Sequence, residues 1–245
     1  MRAVSQETDG EMPSSELETK IMNQHAFHSL VRQRRSIRSF LPDPIPNEMI
    51  RSVMDDARHA PSNSNIQPWV VHIASGSMRD RLSAAMLAAN DMGEQSPDFP
   101  WGYDALHGDY RARQKAQGAS YFRALGVSRE ALEERQALSR YNLSFFGAPH
   151  ACFLFMPSFY DDVRTAGDVG MFAQTLLLSL TAHGLAGVPQ TYLGFYSKPV
   201  RELLGVDPAL KLLFGISFGR PDMNSAASRF DVGRAPIEAI ATFHD

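Results

Sequence analysis

The chain has 245 residues, of which 44% are hydrophobic and 21% charged, and its formal net charge is -3. These values are ordinary for a globular protein with a substantial core, and the small net charge argues against a dedicated nucleic-acid binder. Its apolar runs are shorter than the roughly 18 to 20 residues that span a membrane, and the polar start lacks the apolar stretch of a secretory signal. The single cysteine, Cys152, excludes an internal disulfide, fits a reducing compartment and leads us to expect a cytoplasmic location.

The first part of the chain is predicted to contain an arm and then a helix. Residues 1–25 are rich in Ser, Glu and Thr, which predicts a disordered or loosely attached arm before a single domain at residues 26–245. A short helical spacing leads from Phe27 into a basic segment. Asn47 then suits the N-cap of a helix that ends before Pro61.

The rest of the chain alternates predicted strands and helices. Strands are predicted at residues 69–74, 150–156, 187–193 and 210–218, and helices at 77–90, 128–141, 168–183 and 197–205. The helix at 168–183 is apolar almost all round, which predicts a central, buried element. Residues 91–127 contain scattered aromatic residues and are predicted to form an insertion with some helix. The alternation favours a layered mixed α/β domain.

The basic segment VRQRRSIRSF places four arginines within seven residues: Arg32, Arg34, Arg35 and Arg38. A phosphate monoester carries nearly two negative charges, which two guanidinium groups and a hydroxyl or backbone N–H can bind. In an extended segment Arg34, Ser36 and Arg38 lie on one side, so they can face one ligand together. The alternatives are a solvated basic surface and a nucleic-acid patch. The apolar neighbours of the arginines favour a packed segment.

A second segment, PSNSNIQPW, combines turn-forming residues with amide side chains. Pro61, Ser62 and Asn63 are turn-prone and leave backbone groups available for a ligand. Asn65 and Gln67 each carry both a donor and an acceptor. Such groups suit a flat ring with a polar edge, although an ordinary helix-to-strand loop has the same composition.

The remaining patterns point away from other chemistries. Gly215–Gly219 matches the G-x-S-x-G nucleophile elbow of hydrolases, but an elbow enters a helix and Pro221 favours a turn, so Ser217 is a poor nucleophile candidate. Cys152 lies in the apolar run ACFLF and is predicted to be buried. No metal-binding motif, P-loop or dinucleotide fingerprint is present.

RRSIRSF followed by APSNSNIQPWVVHIAS resembles the N-terminal half of the FMN-dependent nitroreductase family. The segments NLSFFGAPH, GMFAQTLLLSLTAHGLAGVPQTYL, VRELLGV, GISFGRPD and GRAPI follow in the family's order, so the resemblance covers about residues 27–240. The segments YRARQKAQGASYFRALGV and RYNLSFFGAPH are similar to a branch of which several members act on nitrobenzoate-like aromatics.

The resemblance implies an α+β fold, a three-layer sandwich with a mixed central sheet flanked by helices, in an intertwined homodimer with two FMN at the subunit interface. NADH or NADPH would be the electron donor and a small nitroaromatic compound the acceptor, in a ping-pong order. The cofactor would carry the chemistry, so no catalytic side chain and no metal are predicted.

The resemblance also implies roles for particular residues of this chain. The residues expected at the FMN phosphate and ribityl chain are Arg34, Arg35, Ser36 and Arg38, with Arg234 as a further phosphate ligand. Those expected to approach the flavin from the partner subunit are Pro61, Ser62 and Asn63. Those expected along the isoalloxazine are Val188, Pro189 and Gln190, with Asn142 at the ring edge. The insertion corresponds to the family's substrate lid, where substrate contacts are expected from Trp101, Tyr103 and Tyr121.

Several functions share these features. Within flavoenzymes the same signature serves reductive dehalogenation, enone reduction and oxidative breakdown of flavin. A flavin-binding protein without turnover, a hydrolase acting through Ser217 and a nucleic-acid binder acting through the basic segment are the alternatives from other classes.

Overall fold

A computed structural model of the chain describes residues 14–244. The helices are α1 (Ser14–Gln33), α2 (Asn47–Ala57), α3 (Gly76–Asp91), α4 (Gly108–Ala124), α5 (Leu132–Tyr141), α6 (Val163–Ala182) and α7 (Ser197–Leu204). The strands are β1 (Val70–Ser75), β2 (His150–Pro157), β3 (Ala186–Gln190) and β4 (Leu210–Gly219). Short 3-10 turns occur between several of these elements.

The four strands form one sheet in the order β1-β2-β4-β3, and each neighbouring pair is antiparallel. Within the described residues, parallel pairing is limited to isolated bridges such as Ser36–Gly187. The α+β class is confirmed, but the expectation of a mixed sheet is wrong for the strands of this chain. Alternation of strands with helices indicates layers and does not determine the direction of each strand.

The sheet is covered by helices on both faces, because β2 is buried along almost its whole length. Phe153 and Phe155 belong to a core cluster that contains residues of α3 and α7. Leu154 and Met156 belong to a second cluster that contains residues of α2 and α6. Successive side chains of a strand point to opposite faces, so β2 supplies both cores and the domain has three layers. Burial raises the pKa of the Cys152 thiol to about 12, which confirms its prediction as a buried hydrophobe.

Helix α6 is buried on one side only. Phe172 and Leu176 pack into the core, whereas Met171 and Gln174 are exposed. The prediction of a central, buried element therefore holds for the face against the sheet and not for the opposite face. Its apolar composition reflects one face against the sheet and a second face open to contact.

The predicted N-terminal arm, residues 1–25, ends inside α1. Residues 1–13 lie outside the described residues, and α1 runs from Ser14 through the predicted boundary to Gln33. The side chains from Met22 to Ser29 are all exposed. The division of the chain at residue 25 remains a prediction.

The predicted insertion, residues 91–127, contains α4 and is anchored to the domain near its start. Asp98 forms an ion pair with Arg201 of α7 at 2.6 Å and accepts a hydrogen bond from the Leu212 backbone N–H at 2.7 Å. Both side chains of the ion pair are largely buried, so removal of either one would leave a buried charge without its partner. Among residues 14–244, no helix has the length and apolar content required to cross a bilayer. The cytoplasmic location remains a prediction.

Candidate functional site

The basic segment lines a cavity of about 160 Å³, here called the inner cavity. The residues around it are Arg34, Arg35, Ser36, Arg38, Gln117, Phe230, Asp231, Val232 and Arg234. The structure thus brings together every residue that the sequence analysis assigned to a phosphate. The last turn of α1 positions the segment, because the Arg34 N–H donates to the Leu30 carbonyl at 3.0 Å.

Positive charge exceeds negative charge around the inner cavity, where Asp231 faces four arginines. In the described part of the chain, the ion pairs involve none of these arginines. Burial lowers the pKa of Arg34, and the charge of Arg234 lowers it further. Like charges held together at a partly buried site cost free energy, and a bound anion offsets that cost. The inner cavity is therefore suited to an anion.

Arg38 packs against two neighbouring aromatic rings. Its guanidinium carbon lies 5.4 Å from the centre of the Tyr121 ring and 5.5 Å from that of Phe230. Its Nη1 donates to the Ser36 carbonyl at 3.2 Å, and burial lowers its pKa. The guanidinium also donates to no carboxylate among the described residues. Tyr121 belongs to α4, and Phe230 belongs to the segment after β4, residues 220–244, here called the C-terminal segment. Arg38 thus connects both of them with the basic segment.

The inner cavity adjoins the outer edge of β3, which the basic segment covers at Gly187. Ser36 forms a parallel bridge with Gly187 in β3, and β3 is the last strand of the sheet. Among the described residues, the rest of this edge has no neighbouring strand, and proline is tolerated in an edge strand. Pro189 is exposed between the buried Val188 and Gln190. A ligand that extends from the inner cavity can therefore contact the predicted ring-binding residues through their backbone.

The side chain of Gln190 is already satisfied by the protein. Its Nε2 donates to the Asn142 carbonyl at 2.9 Å, and its Oε1 accepts a hydrogen bond from the Ser217 hydroxyl. Asn142 therefore lies beside β3. Ser217 is fully buried within β4, which continues to Gly219 without entering a helix. The hydrolase interpretation is wrong, because this serine is neither exposed nor at an elbow.

Replacing Ser217 with alanine should lower the free energy of unfolding by about 1–3 kcal/mol, because the buried Oε1 of Gln190 loses its donor. Urea unfolding of the Ser217→Ala variant measures this effect, and Ser139→Ala, at an exposed position of α5, is the control. Unchanged stability together with loss of an ester-hydrolysing activity would restore the hydrolase interpretation.

The turn predicted to approach a flavin does not line the inner cavity of its own chain. Asp168 of α6 holds this turn, because both of its carboxylate oxygens accept from the Asn63 N–H at 3.1 Å. Beyond Asn63, three non-glycine residues have left-handed φ angles: Ser64 (50°), Asn65 (57°) and Gln67 (48°). Such residues persist only where their surroundings impose the conformation. Pro61, Ser62 and Asn63 thus form a fixed and mostly exposed tip.

The three aromatic residues predicted at the substrate do not form one cluster. Trp101 and Tyr103 are exposed and pack edge to face, with ring centres 6.1 Å apart. The Tyr103 carbonyl accepts from Arg111 near the start of α4 at 3.0 Å. Tyr121 lies roughly 15 Å further along α4 than Arg111, at about 1.5 Å per residue. Tyr121 packs instead against the Arg38 guanidinium.

Sequence reasoning missed several residues of the site. Gln117 and Phe230 line the inner cavity, and Asp168 holds the turn. Each acts across a long sequence separation, so no local pattern identifies it. The cluster of charges at Arg229, Asp231 and Arg234 was the one available signal. Within residues 14–244, no group of His, Cys, Asp and Glu is arranged to hold a metal ion.

Fold and site together define a three-layer α+β domain with an arginine-lined cavity beside the outer edge of the last strand. The profile of the Nitroreductase family matches residues 31–220, and the chain belongs to this family, as its sequence predicted.

Individual relatives agree with this assignment. The chain is 41% identical over 218 residues to nitroreductase NfnB of Mycolicibacterium smegmatis, covering 89% of this chain and 92% of that protein. It is 31% identical over 219 residues to 4-nitrobenzoate reductase of Pseudomonas putida, covering 89% and 95%. The crystal structure of the FMN-dependent nitroreductase NfnB from Mycobacterium smegmatis in complex with NADPH superposes with a TM-score of 0.87 at 40% identity, covering 91% of this chain and 99% of that one.

Proposed function

We propose that this protein is an FMN-dependent oxidoreductase that uses NADPH or NADH to reduce nitroaromatic compounds. The observation that carries the proposal is the position of the inner cavity, which places partly buried arginines beside the outer edge of β3. Relatives described as nitroreductases over nearly the whole chain support the same activity.

The donor groups of the site fit the phosphate of FMN. Arg34, Arg35, Arg38 and Arg234 supply guanidinium groups, and Ser36 supplies a hydroxyl. Together they match a phosphate that carries close to two negative charges. Their role is to bind and orient the cofactor, whose flavin supplies the hydride chemistry when bound.

The outer edge of β3 beyond Gly187 fits the flavin ring. Val188 and Gln190 have backbone groups on this strand, whereas Pro189 has no N–H to donate. We assign the ring contacts to the backbone of these residues, because the Gln190 side chain is occupied by Ser217 and Asn142. Asn142 is then positioned at the ring edge. Fixed backbone donors near a ring that gains charge stabilise its reduced form.

We further propose an intertwined homodimer in which the partner completes each site. The tip at Pro61, Ser62 and Asn63 is rigid, mostly exposed and absent from the lining of its own inner cavity. The open side of α6, which includes Met171 and Gln174, offers a surface for the partner. A tip held this firmly can serve a neighbouring flavin without ordering cost.

We propose that the acceptor is a nitrobenzoate-like aromatic compound. It binds after the nicotinamide donor has dissociated, in a ping-pong order. The support is the relative described as 4-nitrobenzoate reductase. Trp101 and Tyr103 are exposed and provide aromatic surfaces for such a substrate. Tyr121 contributes through Arg38, since it packs on that guanidinium.

An anaerobic absorption spectrum of the purified protein tests this function. A bound flavin spectrum that bleaches with NADPH or NADH and returns with 4-nitrobenzoate is expected. A protein that stays colourless after incubation with FMN would overturn the cofactor assignment. Bleaching without a response to nitro compounds would leave the cofactor in place and direct the search to halogenated or enone acceptors. A flavin that no nicotinamide donor reduces would indicate a flavin-binding protein without turnover.

A further inference from the structure

A second cavity lies against the inner cavity and is here called the outer cavity. It has a volume of about 560 Å³ and shares Arg34, Arg35, Asp231 and Arg234 with the inner cavity. The remaining residues around it are Val31, Arg32, Arg229 and Gly233. Arg32 and Arg229 therefore line the outer cavity without lining the inner one.

The two cavities together hold more positive charge than one phosphate requires. Five arginines and one aspartate surround the outer cavity, whereas a phosphate monoester carries fewer than two negative charges near neutral pH. In the described residues no ion pair involves Arg32 or Arg229. The protein as a whole is slightly acidic, so this local excess is not a property of the general surface.

Arg32 and Arg229 come from distant parts of the chain. Arg32 is in the last turn of α1, where its Nη1 donates to the His28 carbonyl at 3.3 Å. This contact accounts for one of its donors and leaves the rest of the guanidinium free for a ligand. Arg229 follows a buried turn at Ala227 and Ser228, which fixes its position although its own side chain is exposed. The fold thus places these two exposed arginines beside the arginines that line both cavities.

We propose that the outer cavity binds a phosphate group of the nicotinamide dinucleotide donor, separately from the phosphate of FMN. This inference rests on the proposed function. The opening to solvent suits a ligand that arrives and leaves in each cycle, whereas the partly buried inner cavity suits a retained cofactor. The phosphate is either the 2′-phosphate that only NADPH carries or the pyrophosphate that NADPH and NADH share.

Steady-state kinetics of the holoenzyme carrying Arg32→Gln and Arg229→Gln distinguish these sources. The variant should retain FMN and kcat at saturating donor, because both residues lie outside the inner cavity. Loss of two charge-assisted contacts should raise the KM for the donor roughly tenfold or more. A rise for NADPH alone identifies the 2′-phosphate, and an equal rise for both donors identifies the pyrophosphate. Arg81→Gln, at an exposed position of α3 that lines neither cavity, is the control.

A direct titration separates the binding site from turnover. Adenosine 2′,5′-bisphosphate and ADP are titrated into the FMN-loaded wild-type protein and into the double variant. Weaker binding of either probe to the variant supports the outer cavity even if nitro reduction is absent, in which case the proposed function alone fails. Donor KM values and probe affinities within twofold of the wild-type values would overturn the inference, whatever the enzyme reduces.

Discussion

Replacing Arg38 with alanine is expected to raise the dissociation constant for FMN roughly ten- to a hundredfold, because a charge-assisted contact to the phosphate is lost. The guanidinium packs against both Tyr121 and Phe230, so the substitution also removes the packing that holds α4 and the C-terminal segment at the inner cavity. Fluorescence titration of the apoprotein with FMN measures the change.

Two further variants separate charge from general damage to the fold. Arg38→Lys keeps a positive charge but loses the planar fork and its stacking, so an intermediate loss of FMN affinity is expected. Arg113→Ala is the control. The Arg113 guanidinium carbon lies 5.1 Å from the centre of the Tyr110 ring, and Arg113 is in α4, as is Tyr121, but does not line the inner cavity. This substitution should leave FMN affinity unchanged. Wild-type FMN affinity in Arg38→Ala would remove this residue from the phosphate site.

Asp168→Ala is expected to lower the free energy of unfolding by about 1.5–3 kcal/mol, since the Asn63 N–H loses a charged acceptor that is almost completely buried. Without this contact the left-handed residues after Asn63 lose the support that their conformation requires. Because the tip is proposed to contact the partner's flavin, FMN affinity should fall as well. Urea unfolding at a fixed protein concentration and an FMN titration measure the two effects.

The outcome for Asp168 tests the tip and the fold separately. Gln174→Ala, at an exposed position of the same helix, is the control for substitution in α6. Asp168→Asn retains an acceptor oxygen and should recover part of both losses. A less stable protein with unchanged FMN affinity would show that the turn supports the fold without reaching a flavin. Wild-type stability would contradict the role of Asp168 as the anchor.

The aromatic contacts of Arg38 also place α4 beside the proposed phosphate site. Tyr121 belongs to the insertion and Phe230 to the C-terminal segment, and the centres of their rings lie 5.3 Å apart. Their position on Arg38 means that the insertion rests on the proposed phosphate site at one end and carries Trp101 and Tyr103 near the other. The proposed cofactor and substrate sites are therefore joined by one helix.

Local patterns in the sequence determined the elements and the composition of the site. Periodicity located most of the helices and strands, with errors mainly at their ends, as at the start of α6. The basic segment predicted a site for an anion because its arginines and Ser36 are neighbours in the chain, and these residues line one cavity. The ordered motifs identified the family, which the profile match confirms.

Only the tertiary structure decided which distant residues meet. Arg234 and Phe230 reach the basic segment, and Asp168 reaches Asn63, across separations at which no periodicity or spacing carries information. The strand directions and the exposed side of α6 were also undetermined, because an apolar helix looks the same whether its second face meets the core or a partner. Local propensity is set by neighbouring residues in the chain, whereas the charge balance of the two cavities depends on side chains that folding brings together.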